Sequence, residues 1–225
     1  DVRGAEHIPA TGPGVLAGNH IGFLDFTFIG YAARLRDRHV RFMAKRSVFE
    51  LPVAGWLMRR MRHIPVDRRE GWRAYRQGLL LIDDGQLVGV FPEATISRSW
   101  LLKPFKRGAA GFAVSRRVPL VPVVVWGGHR VYTVDGHRSL RRRIPITVSV
   151  GEALIPADGE TIDELSQTVD VDAAGWTSVT SALAAKTATT TASGVIGVTA
   201  ARLKVNSVTN GATYTWRAVH PTQIS

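Results

Sequence analysis

A histidine followed five residues later by an aspartate can work as an acid–base pair, and the stretch VLAGNHIGFLDF supplies His20 and Asp25. Imidazole exchanges protons near neutrality, and a nearby carboxylate can orient the ring and stabilise the imidazolium. Asn19 stands beside the histidine. On a regular helix a spacing of five turns one side chain about 140° from the other. The pair therefore needs an irregular strand-to-helix turn to meet, which Gly22 eases. The alternative is a capping histidine and a first-turn acid favoured by the helix dipole.

Two further stretches carry chemistry. In VFPEATISRSW a strand ends at Phe-Pro and leads into a carboxylate, hydroxyls and a guanidinium. The loop amides, Thr95, Ser97 and Arg98 form a set able to hold a phosphate, with Glu93 ordering the basic groups. Its alternative is a plain β-turn with a surface arginine. FMAKRSVFELPVAGWLMRRMRHIPVDRR carries much of the positive charge. Lys45 follows one expected strand and Arg68 follows the extended HIPV, so both converge on the same strand-end face. Arg59, Arg60 and Arg62 read instead as a solvated helical surface.

The elements that must position these groups alternate. GVLAGN, bounded by TGPG, predicts a buried strand, and a helix follows from about Gly22 to Leu35. VRFMAK reads as a strand, and PVAGWLMRRM as a short helix with Pro52 in its first turn. WRAYRQGLLLIDDG reads as an amphipathic helix stopped by Gly85, followed by the strand QLVGVFPE. FKRGAAGFAVSRR, VPLVPVVVWG and RIPITVSVGEAL predict a helix and two more strands, and DVRGAEHIPATGPG the approach to the first strand. This order predicts an α/β fold: a mostly parallel or mixed central sheet with helices on both faces and its sites at the strand C-terminal ends.

Composition narrows the function. With 29 Lys and Arg against 18 Asp and Glu, the net charge of +11 favours anionic partners. No nucleic-acid motif accompanies that charge, so nucleic acid is not expected as a partner. The chain has no cysteine, which excludes disulfides, Cys-ligated zinc and a thiol nucleophile. His7, His39, His63, His129 and His137 lack ligand spacing, and we expect no metal site. No apolar run approaches the roughly 18 to 20 residues of a membrane span. We expect a further segment upstream of Asp1, with room for a membrane helix. After about Leu165 the composition turns to Thr, Ala, Ser and Val. Residues 1–165 are therefore expected to form one domain and residues 166–225 a tail of no assigned function.

Taken together the three stretches resemble the glycerolipid acyltransferase family, which contains the 1-acylglycerol-3-phosphate acyltransferases. NHIGFLD matches its Asn-His-x4-Asp block through Asn19, His20 and Asp25. Lys45, Pro52, Gly55 and IPVDR with Arg68 match a second block; Phe91, Pro92, Glu93, Thr95, Ser97 and the PFKRG run match a third. Pro119 and Pro122 match a Val-Pro-x-x-Pro strand. Ala94 stands where the family usually has Gly, Ile96 where it usually has Arg, and Gly22 where Ser is common. Arg98, Lys103 or Lys106 then takes over the phosphate contact.

The resemblance implies a glycerol-phosphate acyltransferase-like fold and transfer of a fatty acyl group to 1-acylglycerol-3-phosphate, in phospholipid synthesis. His20 would be general base and Asp25 its orienting acid. Asn19, Lys45, Arg68, Glu93, Thr95, Ser97 and Arg98 would bind substrate. Acyl-CoA or acyl carrier protein would be the donor, with no cofactor and no covalent acyl-enzyme. The rivals are acylation of another lysophospholipid or a glycolipid, and a noncatalytic basic binding module. The charge suits docking on an anionic membrane at its cytoplasmic face, with Trp56, Leu57 and Met58 beside Arg59 and Arg60 at the contact.

Overall fold

The computed structural model describes residues 1–67, 69–98, 105–134, 139 and 143–166. Arg68, Lys103 and nearly all of the expected tail lie outside the described residues. The strands are β1 (Val2–Arg3), β2 (Gly14–Gly18), β3 (Val40–Lys45), β4 (Ile64–Val66), β5 (Leu87–Val90), β6 (Leu120–Trp126) and β7 (Thr147–Val150). The helices are α1 (Asp25–Arg34), α2 (Arg46–Phe49), α3 (Pro52–Arg60), α4 (Gly71–Asp83) and α5 (Gly108–Arg116).

The strands form one sheet in the order β1-β7-β6-β2-β5-β3-β4. From β6 to β4 all neighbours are parallel, and β7 runs antiparallel to β6. β2, β5 and β6 are the continuous apolar runs of strands covered on both faces, and β2 and β5 are buried throughout. The opening residues do more than approach a strand: β1 pairs parallel to β7 through Val2 and Arg3.

Alternation divides the apolar side chains between two cores. Val15, Ala17, Val88 and Leu120 pack with Ala74 and Ile82 of α4 and Phe112 of α5. Leu16, Val121, Val123 and Phe42 pack on the other face with Ile29, Ala32 and Ala33 of α1. Phe112 is fully buried and stacks on Tyr75 at 4.4 Å. Truncating such a ring to alanine costs about 3–5 kcal/mol. Helix α1 begins at Asp25, three residues later than the periodicity predicts, because residues 21–24 form the turn that leads into it.

Met58 was expected at the surface and is instead buried, at 5% exposure. It lies on the inward face of α3 with Gly55, whose absent side chain lets the helix close on the Phe49 backbone.

His63 is an interior histidine. β4 begins only at Ile64, so at its approach the His63 Nδ1 accepts the Phe42 N–H at 3.1 Å. Phe26 and Phe42 present their rings edge-on to it. Burial, then the neighbouring Arg41, lower its pKa to about 4. The unfolded chain therefore binds more protons than the folded one between about pH 6.5 and 4. Stability is fully present above about pH 6.5 and falls by up to a few kcal/mol as pH drops toward 4. Urea unfolding of His63→Asn, which keeps an acceptor for Phe42, should show a shallower pH dependence than wild type across that window. Parallel curves would contradict the assignment.

Candidate active site

Strands β2, β5, β3 and β4 end on one edge of the sheet, and the expected site residues follow those ends. Asn19 follows β2. Its N–H continues the ladder to Val123 O at 3.3 Å. Its side chain fastens β2 to β6: Oδ1 accepts the Val125 N–H at 2.7 Å and Nδ2 donates to Val125 O at 3.0 Å. Asn19 is 2% exposed. Its amide is thus engaged within the protein, a positioning arrangement where the sequence reading expected a substrate contact.

His20 continues the alternation of Leu16 and Gly18 and rises over the α1 face. Its Nδ1–H donates to Asp25 Oδ2 at 3.1 Å. The same oxygen accepts the amides of Ile21 at 2.7 Å and Gly22 at 2.8 Å. Asp25 is wholly buried at the N-terminus of α1. Three donors and the positive end of the helix dipole stabilise that buried carboxylate. Because Nδ1 is the hydrogen-bonded nitrogen, Nε2 of the neutral ring is the unprotonated one. The imidazole keeps 21% of its side-chain surface exposed, enough for a reacting group to approach.

The turn does bring the two side chains together, and Gly22 lies within it. The glycine has an ordinary φ and serves close approach. A Cβ there would lie 2.9 Å from Tyr132 O.

The loop after β5 grips the same histidine. Glu93, 2% exposed, accepts the His20 N–H on Oε1 at 2.8 Å. The Ser97 N–H donates to His20 O at 2.7 Å. Phe91 stacks on the imidazole with ring centres 4.2 Å apart. Phe91 in turn stacks on Phe42, and a Cβ at Gly89 would collide with that ring at 2.4 Å. Ala94, where the resembling family has Gly, takes a left-handed φ of 55°. The position demands the backbone that glycine adopts freely.

Glu93 and Ser97 thus hold the histidine's own peptide, and Ser97 is fully buried. Thr95 and Arg98 are exposed on that loop, and Lys45 is exposed at the end of β3. These three lie at the sheet edge with His20, whereas Arg68 lies outside the described residues. A groove of about 580 Å³ between α2, α3, β4 and α4 excludes the His20 site. In it Arg46 pairs with Glu50 and Asp67, Arg73 pairs with Glu70, and Arg59 donates to Phe49 O. Among the described residues no group of three or more His, Asp and Glu converges as metal ligands.

Two supports escaped the sequence reading. One is Phe91 as the stacking partner of His20. The other is the segment after β6, where Thr133 Oγ1 donates to Ile21 O at 2.7 Å and Tyr132 O accepts the Phe23 N–H at 3.0 Å. The Gly127-Gly128 pair in that segment was its visible signal.

A family model described as Acyltransferase matches residues 1–126. The 1-acyl-sn-glycerol-3-phosphate acyltransferase BAT2 of Brassica napus chloroplasts is 33% identical over 135 residues, covering 58% of this chain and 38% of that one. The chain thus spans well under half the length of that relative. The 1-acyl-sn-glycerol-3-phosphate acyltransferase of Bacillus subtilis is 28% identical over 158 residues, covering 70% and 74%. The crystal structure of PlsC from Thermotoga maritima, a 1-acyl-sn-glycerophosphate acyltransferase, superposes with a TM-score of 0.60. It has 24% identity and covers 75% of this chain and 66% of that one. At that identity the likeness is one of fold.

Proposed function

We propose an activity on the premise that the chain belongs to the acyltransferase family, whose model spans more than half of its 225 residues. The protein moves a fatty acyl group from a thioester donor to the free hydroxyl of 1-acylglycerol-3-phosphate, giving phosphatidic acid. The observation that carries this reading is the 3.1 Å bond from His20 Nδ1 to the buried Asp25, which leaves Nε2 open at the strand-end edge. The names of the plant and bacterial relatives supply the acceptor class.

Nε2 takes the proton of the acceptor hydroxyl as its oxygen attacks the thioester carbon. Asp25 holds the ring in the tautomer that makes Nε2 the acceptor and stabilises the imidazolium. The tetrahedral adduct then collapses, the carbon–sulfur bond breaks, and the imidazolium returns its proton to the leaving thiolate. The acyl group passes directly between substrates with no covalent acyl-enzyme, and the step needs no cofactor. Acyl-CoA or acyl carrier protein serves as donor. Lys45, Arg68, Thr95 and Arg98 form the acceptor's phosphate pocket, while Asn19, Glu93 and Ser97 set the position of His20. The catalytic domain is residues 1–165.

Ile96, in place of an arginine, favours a second reading in which the acceptor is a lysophospholipid or glycolipid without a free phosphate monoester. Rates with 1-acylglycerol-3-phosphate, lysophosphatidylcholine and 1-acylglycerol at equal acyl-CoA separate the two. The first reading predicts a preference of roughly tenfold to a hundredfold for the monoester, the worth of charge-assisted phosphate bonds. Equal rates would favour the second.

We place the protein at the membrane's cytoplasmic face, although among the described residues no helix is long and apolar enough to cross one. Around α3, Leu51, Val53, Trp56 and Leu57 are exposed, Val53 at 79%, beside Arg60 and Arg62. Apolar side chains flanked by arginines suit an anionic lipid interface. Arg59 is a poor target for testing this, since its guanidinium bonds Phe49 O. Reversing Arg60 and Arg62 to Glu should weaken binding to phosphatidylglycerol vesicles by about thirtyfold or more, at about 1 kcal/mol per cation. Binding indifferent to salt and to these changes would remove the docking surface.

A further inference from the structure

Asp25 uses its two oxygens unequally. Oδ2 accepts three hydrogen bonds, and Oδ1, equally buried, has no hydrogen-bond partner. Oδ1 instead faces Gly128, the first residue of the 3-10 turn that follows β6. A Cβ built on Gly128 would stand 2.7 Å from Asp25 Oδ1, with Phe28 at 3.5 Å and Val125 at 3.6 Å enclosing it. An L side chain tolerates no contact that short, so either the carboxylate or the turn must move.

The turn is not free to move. Thr133 and Tyr132, just beyond it, are bonded to Ile21 and Phe23 on either side of Gly22. The Gly127 turn before it adopts a φ of 93° against Pro145 O. The carboxylate is the part that yields, and rotating it pulls Oδ2 away from His20.

We propose that Gly128 is a positioning residue for the dyad: its missing side chain leaves the space that Asp25 Oδ1 fills, which sets the plane of the carboxylate that holds His20. This rests on the reading of His20 as the base. Asp25 Oδ2 is held by the amides of its own turn, and Oδ1 occupies the space beside Gly128 that a side chain there would take.

The test compares wild type, Gly128→Ala and Gly30→Ala, the last in α1 with nothing within 4 Å of the added carbon. Nitrogen-15 NMR of the His20 ring should report one tautomer, protonated on Nδ1, in wild type and Gly30→Ala, and a tautomer mixture in Gly128→Ala. The kcat for acyl transfer should fall about 10²-fold in Gly128→Ala at nearly unchanged KM, the loss expected of a misplaced catalytic group. On an Asp25→Ala background the added methyl has room. There Gly128→Ala should change neither Tm nor residual rate, and this holds even where Gly128→Ala alone fails to fold.

A wild-type tautomer in folded Gly128→Ala, or losses that add on the Asp25→Ala background, would overturn the proposal. If no variant transfers acyl groups, the acyl-transfer reading fails, and the ring nitrogens and the melting cycle still decide the role of Gly128.

Discussion

The site depends on one buried carboxylate. Asp25 has no exposed surface, and an ionised acid in that position is sustained only by donors brought to it. The turn between β2 and α1 brings three of them to a single oxygen: two amides of the turn itself and the ring of His20. The turn is consequently shaped by the anion at its centre. The group that would stabilise the imidazolium also organises the backbone that presents the histidine, so local structure and chemistry share one interaction.

Three loops converge on this centre because parallel strands deliver their C-terminal ends to one edge. The β2 turn carries the dyad, the β5 loop holds the His20 peptide through Glu93 and Ser97, and the β6 loop lies beside Asp25. Each support comes from a different part of the chain. The sheet makes them neighbours: Leu16 is in register with Gly89 on one side and Val121 on the other. Rigidity at His20 thus follows from sheet pairing that is continuous with the two hydrophobic cores. Lys45, Thr95 and Arg98 are exposed at the same edge.

Much of this was legible in the residues. The alternation of apolar runs and amphipathic segments is local information, and VRFMAK became β3 residue for residue. The meeting of His20 and Asp25 was also legible, since a spacing of five works only across an irregular turn. The partners of polar side chains were not. Asn19 and Glu93 are residue types that suit a substrate contact as well as a backbone one, and only the register of β2 against β6 and β5 aims them inward. Met58 shows the same limit, because Trp56, Leu57 and Met58 are adjacent on α3 and one residue of rotation separates solvent from core. β1 was obscured for a different reason: a strand of two residues, Val2 and Arg3, has no periodicity to detect, and its partner β7 lies at the far end of the domain.

The central claim is that Nε2 of His20 receives the acceptor's proton because Asp25 holds Nδ1. The most direct test measures kcat for acyl transfer to 1-acylglycerol-3-phosphate in wild type, His20→Ala and Asp25→Asn, with folding of each verified by thermal melting. We predict losses of about 10³-fold or more for His20→Ala and about 10²- to 10⁴-fold for Asp25→Asn, whose amide favours the wrong tautomer. Equal activity in the three folded proteins would contradict the account and leave His20 and Asp25 as structural residues of the β2–α1 turn.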